Sequence, residues 1–211
     1  MEYIDIRDET GQKTGLVKER EEVHRDGDLH ASSHVWIVAT ERETGTAGSD
    51  QVEPALCCPG ETGKLTCRIL LQKRSMNKDA YPSCYDISSA GHIPAGEDYL
   101  PSALRELYEE LGIHAGPEDL TPIGAFTYEF LRTFHGKPFH NREISRVYLY
   151  QKPVNLSDLV LQEEEVESVA WMDLSECARR VRAGDPHFCV MEEELQMIAD
   201  YFGIPLLPDE G

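Results

Sequence analysis

The chain has 211 residues, a formal net charge of −19 and a pI near 4.7. So anionic a surface repels nucleic acid and anionic membrane, and no apolar run approaches the ~20 residues of a membrane span. A hydrophobic content of 40% supports a sizeable core, and the length predicts one domain over residues 1–211.

Residues 1–20 predict a hairpin: strands at Glu2–Ile6 and Gly15–Lys18 flank the turn Asp8-Glu-Thr-Gly11. Residues 19–31 are charged and read as a loop, with His24 expected in solvent. Ser33 to Thr40 is a central strand by its apolar run. Residues 43–64, rich in Gly, Thr and Pro, interrupt the pattern as an inserted, mobile loop holding Cys57 and Cys58. With Cys67, Cys84, Cys177 and Cys189 these make six cysteines and no Cys-x-x-Cys pair, which predicts free thiols. The Met-Glu-Tyr-Ile-Asp-Ile start has no signal-peptide character, so the expected compartment is cytoplasmic.

Leu65 to Gln72 resumes as a strand, followed by the small basic cluster Lys73, Arg74 and Lys78, a solvated strand end or a phosphate contact. Tyr85 to Ala90 leads into the segment 91–113. Further strands fall at Ile123–Leu131, Glu143–Gln151 and Glu167–Met172. Asp173 or Ser175 caps a helix, and Met191–Phe202 is a last amphipathic helix. This mixture is α/β.

Segment 91–113 carries the chemistry. Leu100, Ala103, Leu104, Leu107 and Leu111 recur at helical steps, with Asp98 as N-cap, Pro101 in the first turn and Gly112 as the stop. Glu106, Glu109 and Glu110 stand at i, i+3 and i+4. Three like charges there destabilise an isolated helix by roughly 0.2–0.5 kcal/mol per pair, and the helix dipole disfavours anions in its last turn. A solvated face is the ordinary outcome of such a pattern. A divalent cation reverses the cost, and hard oxygen donors suit Mg²⁺ or Mn²⁺. Arg105, read as lying across the helix from Glu109, can reach back to Glu97.

The string is Gly91, five residues, Glu97, seven residues, Arg105-Glu106, Leu107, one residue, Glu109-Glu110, one residue, Gly112-Ile113. It resembles the Nudix box with every fixed position filled. The likeness extends to Leu70-Leu-Gln-Lys-Arg-Ser75, Tyr81-Pro82 and Glu164-Glu-Val-Glu-Ser-Val-Ala-Trp171, and is greatest to the branch near isopentenyl diphosphate isomerase. It implies a mixed β-sheet sandwiched between α-helices. It also implies Mg²⁺-dependent cleavage of a diphosphate linkage in a nucleoside diphosphate linked to another moiety, or a similar small molecule. Glu106, Glu109, Glu110 and the Gly91 carbonyl become metal ligands. Glu97 and Arg105 support the loop, and Glu143, or else Glu164 or Glu165, becomes the general base. Arg74, Lys73 and Arg142 are the expected phosphate contacts. Residues 128–140, with Phe130, Phe134 and Phe139 beside Arg132, Lys137 and Arg142, either stack a base and hold phosphate or form a self-packed edge loop. Dimers are common in the family, so a homodimer is one expected assembly.

An isomerase is the rival. His24, His30, His92 and Glu143 fall where isomerase metal ligands are expected, but Ala90 stands at the catalytic cysteine and Asn141 at a second glutamate. Cys84 lies six residues before Ala90 and does not substitute in register. Loss of the thiol removes the acid–base partner of allylic proton transfer and favours hydrolysis. A silent nucleotide-binding module is the third reading.

Overall fold

The computed structural model describes residues 2–42, 64–78 and 80–206, so the predicted 43–64 insert lies outside the described residues but for Lys64. Strands β1 (Tyr3–Arg7) and β2 (Lys13–Glu19) form the predicted hairpin as a separate two-stranded sheet. A short helix α1 (Arg20–Asp26) follows where a loop was expected. It buries only Val23 and His24, too few positions to show a helical period.

The main sheet is built around β3 (His30–Arg42), which pairs in parallel with β8 (Lys137–Tyr150); β8 continues antiparallel to β7 (Leu120–Phe134). The other edge of β3 is shared. Its C-terminal half pairs with β4 (Leu65–Arg74), and its N-terminal half pairs with β6 (Ser89–His92). β4 diverges from β3 and carries β5 (Tyr85–Asp86) and β9 (Val166–Asp173). Ser88 fills the fork: its hydroxyl donates to the Leu70 carbonyl at 2.5 Å and accepts from the Ile37 N–H at 2.8 Å. An open fork next to a sheet face is where a ligand can enter.

Alternation along β3 sends Val35 and Ile37 to one face and Trp36 and Val38 to the other. The first face is covered by α2 (Tyr99–Leu111) through Ala103, Leu107 and Leu111. The second is covered by α3 (Leu174–Arg182) and α4 (Glu192–Phe202) through Leu174, Cys177, Leu195 and Ile198. A mixed sheet between helices is thus the observed architecture. Asp173 caps α3, accepting from the Ser175 and Glu176 N–H groups at 2.9 and 3.1 Å. The described cysteines, Cys67, Cys84, Cys177 and Cys189, are free thiols. Among the described residues no helix is long and apolar enough to cross a membrane.

Candidate active site and metal centres

Asp98 caps α2 with a 2.8 Å bond from the Tyr99 N–H, and Gly112 ends it in the left-handed region at φ 72°. The glutamates of its last turns reach a cavity of about 550 Å³, lined also by β3, β6 and the β7–β8 hairpin. Glu110 is only 4% exposed and accepts from the Ala90 N–H at 3.3 Å. Burial, then the nearby Glu106 charge, pushes its carboxyl up to about 8. Glu106 lies against Gly91, where an added Cβ would stand 2.2 Å from its Oε1. Burial raises the Glu106 carboxyl, with Arg105 opposing and Glu109 adding to the shift. Glu109 is the exposed member.

Arg105 departs from the sequence expectation. It shares a side with Glu109, donating to it at 2.7 Å, and it also lies 2.8 Å from Glu106; Glu97 is 3.8 Å away. The i, i+4 spacing of Arg105 and Glu109 brings the two together on the helix surface. Glu97 instead accepts from the Ser102 hydroxyl at 3.0 Å.

A second cluster faces the same cavity. One ligand atom each from His24, His30, His92 and Glu143 lies within 4.8 Å of the others. His24 is buried, contrary to its expected exposure, because α1 turns it inward to stack on Phe139 at 4.2 Å. The His30 ring donates from Nδ1 to the Asp28 carbonyl at 2.9 Å, which leaves its Nε2 lone pair facing the cluster. Nε2 of both His24 and His30 is buried without a partner, as is Oδ1 of Asn141. Burial, then the neighbouring His92, lowers His24 to about 2 and His30 to about 4. Burial acts to raise Glu143, but contact with His92 at 3.5 Å and the charges of His30 and His34 outweigh it and hold the carboxyl well below its usual range. Tyr128 donates to its other oxygen at 2.9 Å. His24 and His30, held neutral by burial, and Glu143, held ionised, carry the protonation states that a cation takes. The donor set fits Mn²⁺ or Zn²⁺, and the glutamate trio fits Mg²⁺ or Mn²⁺.

Of the expected phosphate contacts, Arg74 lines the cavity and bonds Asp86 at 2.7 Å. Lys73 and Arg142 lie away from the cavity lining. Lys73 pairs with Glu167 at 2.6 Å, and Arg142 pairs with Glu9 and Glu129. Neighbouring strand residues point to opposite faces, which separates Lys73 from Arg74. Glu165 lines the cavity and pairs with Lys78; Glu164 is exposed.

The lining also holds Arg132 of the 128–140 segment, and two features without a role in the sequence reading: Arg20 and a buried pair. Glu194 of α4 accepts from His34 Nδ1 at 3.0 Å and from Trp36 Nε1 at 2.6 Å. Burial pushes His34 down, but Glu194 outweighs it and leaves the imidazole above its ordinary value. His34 and Trp36 at i, i+2 on a buried strand were the available signal; nothing in the sequence pointed to Glu194 as their partner.

Residues 54–190 match the NUDIX domain family model. Nudix hydrolase 3 of Arabidopsis thaliana is 38% identical over 189 residues, covering 89% of this chain and 21% of that protein. The chain thus spans about a fifth of that relative. An uncharacterized Nudix hydrolase of Clostridium acetobutylicum is 35% identical, covering 84% of this chain and 73% of that protein. The crystal structure of DR0079 from Deinococcus radiodurans superposes with a TM-score of 0.62 at 14% identity, covering 95% of this chain and 99% of that one, a likeness of fold alone.

Proposed function

The chain belongs to the Nudix hydrolase family, and we propose that it is a Mg²⁺-dependent hydrolase of a diphosphate linkage in a nucleoside diphosphate derivative. The observation that carries this is Glu110: a carboxyl buried against Ala90, beside Glu106, is stable as an anion only with a cation in reach. Glu106, Glu109, Glu110 and the Gly91 carbonyl would hold that ion. Bound magnesium supplies charge neutralisation and Lewis acidity at the diphosphate. His24, His30, His92 and Glu143 would hold a second ion, for which the partnerless His24 and His30 nitrogens are the supporting observation.

The chain's own groups divide the remaining work. Arg105 keeps Glu106 and Glu109 oriented through its two short contacts. Arg74 and Arg20 face the cavity as phosphate contacts. Of the five lining carboxylates outside α2, Glu2, Asp86 and Glu194 face Arg20, Arg74 and His34, and Glu143 and Glu165 are the sequence candidates for proton abstraction from water. Glu143 is already engaged by Tyr128 and His92, so Glu165, held by Lys78, is the better-placed base.

The test is release of phosphate species from a panel of nucleoside diphosphate sugars, dinucleotides and prenyl diphosphates, followed by ³¹P NMR with and without Mg²⁺. Wild type should turn over at least one nucleotide, and Glu110→Gln should lose turnover with its circular dichroism unchanged. Full Mg²⁺-dependent activity in Glu110→Gln refutes the assignment. Isomerisation of isopentenyl diphosphate would support the rival reading instead. Ligand-induced stabilisation without hydrolysis would mark a silent binding module.

A further inference from the structure

Four of the six cysteines lie among the described residues, and they divide into two pairs. Cys67 and Cys177 are core residues, and burial pushes both thiols up to about 12, where they stay protonated and inert. Cys84 and Cys189 are half-buried, and no step of the proposed hydrolysis uses them. They come from distant parts of the chain, Cys84 from the β4–β5 connection and Cys189 from the segment between α3 and α4.

The backbone brings this second pair together. The Tyr85 N–H donates to the His187 carbonyl at 2.7 Å, and the Tyr85 carbonyl accepts from the Cys189 N–H at 3.0 Å, so Tyr85 and Phe188 form a one-residue parallel bridge. Their rings meet on one face, 5.4 Å apart. Alternation turns the flanking Cys84 and Cys189 to the other face. There each thiol reaches the opposite segment: Cys84 Sγ donates to the Pro186 carbonyl at 3.5 Å, and Cys189 Sγ to the Tyr85 carbonyl at 3.3 Å. The two side chains are also hydrogen-bonded to each other. That contact, helped by the Arg74 charge, holds the Cys84 thiol down at about 7 against burial and the charges of Asp86 and Asp185. The same contact and then burial hold Cys189 well above its ordinary value. A sulfur that ionises readily thus sits beside one that keeps its proton, the arrangement of an attacking and a resolving thiol.

We propose that Cys84 and Cys189 are a reversible oxidation site, at which a hydroperoxide converts the two thiols to a disulfide that fastens the β4–β5 connection to the segment entering α4. In the first step the Cys84 thiolate attacks one oxygen of hydrogen peroxide. The S–O bond forms, the O–O bond breaks, and the leaving hydroxide takes up the proton that Cys84 lost on ionising and departs as water. In the second step the Cys189 sulfur attacks the Cys84 sulfenic acid. The S–S bond forms, the S–O bond breaks, and the hydroxide leaves as water with the Cys189 proton. The two sulfurs together give up two electrons, and the peroxide is reduced to two waters. A soft cation is the other ligand that paired thiols attract, but among the described residues no third metal-ligating group joins these two, and a structural zinc site takes four. The bridge lies at the cavity edge. Cys189 lines the cavity with Phe188 and Val190, and Arg74 of the same lining donates its backbone N–H to the Cys84 carbonyl at 2.9 Å.

The test treats the reduced full chain with a slight molar excess of hydrogen peroxide, blocks the remaining thiols with iodoacetamide, digests with trypsin in the absence of reductant and reads the peptides by mass spectrometry. Cleavage after Lys and Arg puts Cys84 on residues 79–105, Cys189 on 183–211, and Cys57 with Cys58 on 43–64, so each linkage has its own mass. Wild type should give the disulfide between 79–105 and 183–211 in most molecules, and dithiothreitol should remove it. Cys84→Ser and Cys189→Ser should each give none, and in Cys189→Ser the Cys84 peptide should carry a sulfenic acid that dimedone traps. Oxidised wild type should melt several degrees above the reduced form, because the bridge closes a long loop in the unfolded chain. A disulfide without that shift overturns the fastening. Peroxide that joins Cys57 to Cys58, drives Cys84 to sulfinic acid or consumes no thiol, while 79–105 and 183–211 stay unlinked, overturns the site, as does a link that forms only between two chains. The wild-type map decides the matter even where a variant fails to fold.

Discussion

Burial at position 110 sets stability against function. The Glu110 carboxyl is raised from 4.5 to about 8, so the metal-free native state keeps a proton that the unfolded chain releases. Between those values the unfolded state binds fewer protons, so stability falls as pH rises from about 4.5 to 8. Glu110→Gln removes this cost. The metal-free variant should melt several degrees above wild type at pH 8, with the gain shrinking towards pH 5; each kcal/mol is worth about 2–4 °C in a chain of this size. Calorimetric scans in chelator check it, and a variant that melts lower at pH 8 contradicts the burial argument. The histidine cluster makes a separate prediction. His30 has an orphaned Nε2 locked inward by its Nδ1 bond, so His30→Ala should lower bound Mn²⁺ by one equivalent per chain in equilibrium dialysis. An unchanged stoichiometry would remove that centre. The two clusters differed in legibility. Three glutamates on one helix announce themselves because their repulsion asks for a reason. The inward turn of His24 depends on Phe139, more than a hundred residues away, and no local pattern encodes that contact.

The helix that presents the glutamates is also the best-specified element. Its stripe, its Asp98 cap and its Gly112 stop act independently and agree, so 99–111 could be read directly. Gly112 is required twice over: φ is +72°, and an added Cβ would meet the Val160 Cβ at 2.8 Å and its backbone N at 3.1 Å. Gly112→Ala should therefore destabilise by more than about 1 kcal/mol, read as a shift in urea midpoint at constant slope. Gly91→Ala should behave differently. Its clash is with the flexible Glu106 side chain, so the fold should hold while turnover drops on the order of a hundredfold through misplacement of that carboxylate. The β7–β8 hairpin extends past its expected ends because Arg132 to Phe134 and Lys137 to His140 show no clean alternation of apolar and polar residues. The turn between them, His135-Gly136 with both φ positive, is a hairpin signal that periodicity alone overlooks. α1 was missed for the opposite reason: it is seven residues long and has almost no apolar stripe.

Across the whole molecule, a net charge of −19 surrounds a site proposed to take an anion. The lining does not reverse that field locally. Carboxylates outnumber cations along it, and Arg74 and Lys78 are already paired with Asp86 and Glu165. On the proposed function a diphosphate would approach against a repulsive potential until it met bound cation and Arg132, which faces no carboxylate among the described residues. Screening should weaken the long-range repulsion more than the short-range attraction, because the Debye length falls from roughly 30 Å at about 0.01 M salt to roughly 8 Å at about 0.15 M. At saturating Mg²⁺, kcat/KM for an anionic nucleotide should accordingly rise severalfold across that range of KCl, while kcat changes little. This is opposite to the usual salt response of a site that steers its ligand electrostatically. A fall in kcat/KM would mean that the few cations at the mouth dominate the approach, and that the acidic surface has no part in selecting what enters.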